Sequence, residues 1–234
     1  MTMPVPPDGG RQGAQIYVHP VGAPHLVDPS KPLGSATRIY GEMMDQLWGE
    51  VLPAPADRVT AIEGDVPLTI AGLNLTPIST PGHAWHHHTY RLEGPDETIA
   101  FTGDALGIHL PHVGVADLPA PPPEFHLETW RDTLDRIESE QFDAIYPTHF
   151  SRMDNLTQQL AQMRGLLADS VAFVEERYVA EVPRDQIVSD YLDWNHARLS
   201  AAGADETAVR QMSLANPLFM SVDGILRYLR KREG

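Results

Sequence analysis

The period of the apolar residues changes along this chain, and that change fixes its fold class. Between residues 58 and 102 the pattern is that of strands. Segments 58–62, 66–71, 73–79, 87–92 and 98–102 are short β-prone runs separated by Gly-, Asp- and Pro-containing turns. Pro67 and Pro77 fall inside two of these runs, which marks edge positions for them. From residue 124 the period is helical. Segment 124–140 carries Leu127, Trp130, Leu134 and Ile137 on one face, and 156–178 carries Leu160, Met163, Leu167, Val171 and Val174. Segments 185–200 and 205–212 are shorter helices. Asn216-Pro217 supplies an N-cap and a first-turn proline for a last helix to residue 232. One further strand, 143–146, lies between the first two helices. Upstream, 15–18 reads as a strand, 21–34 as a long Pro/Gly loop, and 36–49 as a helix closed by Gly49. Strands followed by helices, without repeated βα units, predict an α+β fold.

Charge and composition narrow the function. Lys plus Arg number 17 against 32 Asp plus Glu, a net charge of −15. In so acidic a chain the cations that give phosphate affinity are outnumbered, so a nucleic-acid partner is not expected. There is no cysteine, which excludes disulfides, thiolate zinc sites and cysteine nucleophiles. No apolar run reaches the roughly 18 residues of a membrane span, and residues 1–7 have neither the basic nor the apolar region of a secretory signal. The expectation is a cytoplasmic protein acting on a small molecule, with no membrane partner.

Histidines concentrate where the chemistry would sit. His83, His86, His87 and His88 fall within six positions. His83 follows strand 73–79 through Thr80-Pro81-Gly82. Asp104 follows strand 98–102 through Gly103. His149 follows strand 143–146 through Pro147-Thr148. Singly, each has an ordinary reading: a turn with a surface histidine, a Gly-Asp cap, a satisfied interior histidine. Together, each just past the C-terminal end of a strand, they converge if the strands share a sheet edge. Imidazoles with a carboxylate suit Zn²⁺, with Mn²⁺ or Fe²⁺ as alternatives.

The motifs Thr80-Pro81-Gly82-His83, Phe101-Thr102-Gly103-Asp104 and Tyr146-Pro147-Thr148-His149-Phe150 resemble those of the metallo-β-lactamase-fold hydrolases. Tyr17-Val18-His19 to Asp28-Pro29, Tyr40-Gly41 to Leu47-Trp48-Gly49, Pro121-Pro122-Pro123-Glu124-Phe125 and Arg227-Tyr228-Leu229-Arg230-Lys231-Arg232 are similar to one hydrolase-like subgroup. The resemblance implies an αββα sandwich with a metal site at one edge of its sheets. It makes His83 a ligand of a first metal, His149 a ligand of a second, and Asp104 the bridging, catalytic carboxylate. It implies metal-activated water attacking a small ester, lactone, thioester or amide.

The family also places a His-x-His-x-Asp-His motif near its N-terminus, and this sequence has none. The sandwich is therefore expected to be incomplete, a domain of residues 1–155 with a helical section, 156–234, packed on it. Uncovered apolar surface would favour a homo-oligomer. Half of the metal ligands would be missing. His86 and His87 stand as supporting groups or replacement ligands, with His88, His109 and His112 as further replacements. The rival readings are a non-catalytic remnant serving as a binding module, and a truncated gene model of an active hydrolase.

Overall fold

The computed structural model of the chain describes residues 14–47, 49–109, 114–148 and 152–233. They form two compact units, residues 1–66 and 67–234. In the first unit, β1 (Ile16–Val18) pairs in parallel with β2 (Val59–Ala61). Between them lie α1 (Ala23–Val27), α2 (Ser30–Tyr40), a 3₁₀ turn (Gly41–Met43) and α3 (Met44–Leu47). The segment 21–34, expected to be a loop, thus contains α1 and the first turn of α2. Pro24 sits at the start of α1 and Pro32 in the first turn of α2, where no intrahelical N–H is required, so these prolines open helices instead of excluding them. The expected helix 36–49 is instead interrupted at Gly41, whose φ of 51° leaves the helical region.

The second unit is built on a five-stranded sheet in the order β3 (Leu68–Ile70), β4 (Leu73–Ser79), β5 (His88–Glu93), β6 (Thr98–Gly103), β9 (Ala144–Pro147). The first four are antiparallel and β9 joins β6 in parallel. The β6–β9 crossover contains the small ribbon β7 (Ile108–His109) and β8 (Ala116–Asp117), then α4 (Leu127–Ser139). Pro77 lies in β4, an interior strand of this sheet. Its β3 neighbour pairs only as far as Leu75, so at Pro77 the strand has β5 alone beside it. The edge position expected from the sequence is met locally.

Both faces of the sheet are apolar. On one, Ile78, Ala100 and Ile145 join a core with Leu106, Trp130, Leu134 and Ile137. Residues from α5 (Leu156–Val179), α6 (Arg184–Ala201) and α8 (Leu218–Glu233) complete that core, while α7 (Glu206–Ala215) packs a satellite cluster around Met212 and Ile108. On the other face, register aligns Leu75, Leu92, Ile99 and Ala144, then Pro77, Tyr90, Phe101 and Tyr146. A sheet apolar on both faces is suited to lie between two layers. This is the α+β architecture expected, with a helical C-terminal section.

Candidate metal centre

Local backbone requirements bring two of the expected residues together. After β4 the chain turns at Gly82, whose φ is 129°. A Cβ there would lie 2.5 Å from the Cα of Trp130, so only glycine lets the turn rest on α4. Two hydrogen bonds hold it: His126 N–H donates to Gly82 O at 3.0 Å, and Thr133 Oγ1 donates to Pro81 O at 2.6 Å. At the end of β6, Gly103 adopts φ 53° and presses against the His87 ring, where a Cβ would lie 2.5 Å from Nε2. The next residue, Asp104, opens a 3₁₀ turn.

His83 and Asp104 meet in this fold, 5% and 4% exposed, with Nε2 3.4 Å from Oδ2. The His83 ring also stands nearly perpendicular to that of Trp130, 5.9 Å between centroids. Its Nδ1 lies 2.7 Å from Pro119 O. A carbonyl only accepts, so Nδ1 carries a proton, and in the neutral ring Nε2 presents a lone pair to the carboxylate. Burial pushes the His83 pKa below the usual histidine value, against the opposing pull of Asp104. With the ring neutral, as burial favours, two electron-rich atoms face each other across a gap out of water. A cation between them relieves that repulsion, and an imidazole with a carboxylate is a donor set such ions accept. The pair fits a divalent metal as two of its ligands.

His87 has a different position. Asp104 N–H donates to its Nε2 at 3.1 Å. Its proton is therefore on Nδ1 and goes to Thr80 Oγ1 at 2.8 Å, a hydroxyl that also lies 3.1 Å from Thr89 Oγ1. Burial drives the His87 pKa down to about 3. With both nitrogens engaged, His87 holds the backbone of Asp104. His86 lies beside Glu124, Nδ1 to Oε2 3.2 Å, at a partly exposed site. His88 is buried at the start of β5, and His109 is buried on β7. His149 and His112 lie outside the described residues. Among the described residues, no group of three or more His, Asp or Glu is arranged to hold a metal ion.

Sequence reasoning missed Pro119, the partner of His83. Its carbonyl comes from a segment 36 residues away, and a backbone acceptor leaves no residue-type signal. Beside the turn, Trp85, Phe125, His126, Tyr228 and Lys231 line a cavity of about 360 Å³.

No protein-family profile matches the chain. Among curated proteins it is 28% identical over 102 residues to the metallo-β-lactamase fold-containing protein ST1585 of Sulfurisphaera tokodaii. That match covers 44% of this chain and 36% of the relative, so the chain spans about a third of the relative's length. The crystal structure of ST1585, described as an archaeal metallo-β-lactamase superfamily protein, superposes with a TM-score of 0.53 at 24% identity. The aligned part is 64% of this chain and 58% of that one. The metallo-β-lactamase family protein TTHA1429 of Thermus thermophilus superposes with a TM-score of 0.60 at 18% identity, covering 94% of this chain and 68% of its own. Fold and relatives together define the class: the chain has the fold of the metallo-β-lactamase superfamily.

Proposed function

We propose that this chain is a metal-dependent hydrolase of small molecules, with His83, Asp104 and His149 holding a divalent cation. The observation that carries the reading is the buried His83–Asp104 pair, its imidazole lone pair turned to a carboxylate oxygen at 3.4 Å. Zinc is the first choice of ion, with manganese or iron compatible with the same donors. When bound, such an ion lowers the pKa of a coordinated water and polarises a carbonyl oxygen, which suits an ester, lactone, thioester or amide. The chain's own residues orient the donors. Pro119 O fixes the His83 tautomer, and His87 fixes the backbone of Asp104. The substrate's non-reacting part would occupy the cavity of Trp85 and Tyr228, a size suited to a small ligand. That cavity adjoins the turn through the His126–Gly82 hydrogen bond. No helix among the described residues is long and apolar enough to cross a membrane.

Metal analysis tests the reading. Reconstituted protein is expected to retain zinc after gel filtration. Asp104→Ala should lower zinc affinity by more than the 10–100-fold typical of losing a supporting group. No retained metal in the parent protein, or equal affinity in the variant, would overturn it. Once a substrate is found by screening esters and lactones, Trp85→Ala is expected to raise KM several-fold with kcat little changed. A fall confined to kcat would remove the cavity from the substrate's path.

A second reading, a binding module without turnover, is favoured by the donor count, two among the described residues, below the three protein ligands of catalytic zinc sites. Metal retention without hydrolysis of any screened substrate would select it.

A further inference from the structure

Pro119 is held from both sides by one hydroxyl of the last helix. Ser221 Oγ donates to Leu118 O at 2.7 Å and accepts from Ala120 N–H at 3.1 Å. Pro119 itself offers no N–H and has a restricted φ, so pinning its neighbours pins its carbonyl. The anchor extends further. Asn216 Nδ2 donates to Leu118 O at 3.0 Å and to Asp117 Oδ2 at 3.1 Å, and Leu118 N–H donates to Asp117 Oδ1. Arg198 pairs with the buried Asp117 at 3.2 Å. One turn past Ser221 on the same helical face, Gly224 allows direct backbone contact. A Cβ there would fall 1.9 Å from Ala120 O. The segment carrying Pro119 therefore lies on α8 with no freedom to slide.

We infer that Ser221 is a positioning residue for His83: from α8 it fixes the Pro119 carbonyl, which sets the His83 tautomer and aims Nε2 at Asp104. The helical section then serves as the wall that orients a metal donor. The consequence for metal binding rests on the reading of His83 as a ligand; the orientation of the ring does not. Asn216, just past the end of α7, holds the Leu118 carbonyl that Ser221 also bonds.

The test uses the full chain and two variants. Ser221→Ala removes the bracket. Tyr191→Phe removes a comparably buried hydrogen bond, from Tyr191 Oη to Ser170 Oγ, elsewhere in the helical section. In metal-free protein, ¹⁵N NMR of the His83 ring is expected to show the Nδ1–H tautomer in the parent and in Tyr191→Phe. A mixture of tautomers is expected in Ser221→Ala. Zinc and cobalt affinities should fall about 10-fold in Ser221→Ala and change little in Tyr191→Phe, with similar melting-temperature losses in the two. An unchanged tautomer in Ser221→Ala would overturn the inference, as would equal affinity losses in both variants. A parent protein that binds no metal yet shows the tautomer shift would sink the hydrolase reading and leave the positioning role standing.

Discussion

Trp130→Ala is expected to lower the unfolding free energy by about 3–5 kcal/mol, the range for removing a fully buried large aromatic side chain. Trp130 is 0% exposed and packs among Leu106, Phe125, Leu134 and Ile137. Its Nε1–H donates to Ala105 O at 2.8 Å, so truncation leaves a buried carbonyl unpaired as well as a void. The residue also joins core to site. Its backbone supports the Gly82 turn, its ring packs T-shaped with His83, and Ala105 directly follows Asp104. Stability and metal retention should therefore fall together. Trp130→Phe keeps most of the volume and is expected to cost about 1–3 kcal/mol, dominated by the orphaned carbonyl. Urea denaturation of both variants checks this. A loss below about 1 kcal/mol for Trp130→Ala would show that the core does not depend on this ring.

The strands and helices of the second unit were legible because their signals are local. The run 73–79 coincides with β4, and the helical stripe of Leu160, Met163 and Leu167 lies buried in α5. The convergence of His83 and Asp104 was legible for a related reason. Each follows the C-terminal end of a strand, and β4 and β6 flank β5 in one sheet. What escaped depends on contacts between distant segments. His87 read as a supporting group or a replacement ligand, and the contacts that engage its nitrogens, Thr80 and Asp104 through the approach of Gly103, carry no local signal. Asn216 read as a helix cap, but its amide bonds Asp117 and Leu118, some 100 positions earlier. Nothing in the period of α8 sets Ser221 apart from an ordinary small residue. Pro24 and Pro32 misled for a different reason: proline marks loops and first helical turns alike, and only the residues that follow decide between them.

Acid is expected to weaken the metal-free protein through His87, and the sign follows from its environment. The ring has an ordinary pKa of 6.5 when unfolded and about 3 in the fold, with burial as the main cause. Its neutral form is therefore favoured by folding. The stability it contributes is complete above pH 6.5, declines as pH falls below that value, and is gone near pH 3. The slope is about 1.4 kcal/mol per pH unit and the full loss about 5 kcal/mol. Burial shifts His83 and His109 in the same direction, so the parent's acid response exceeds that of one group. His87→Gln isolates the His87 part. Its stability should be lower at pH 7, and its curve between pH 6 and pH 4 flatter than the parent's by about one proton. Parallel curves from urea denaturation at several pH values would contradict the burial of His87. The same chemistry reaches the site. A proton on His87 Nε2 would oppose Asp104 N–H, donor against donor. Loss of that hydrogen bond frees the backbone of Asp104, so in acid the carboxylate is expected to leave His83 before the sheet itself unfolds.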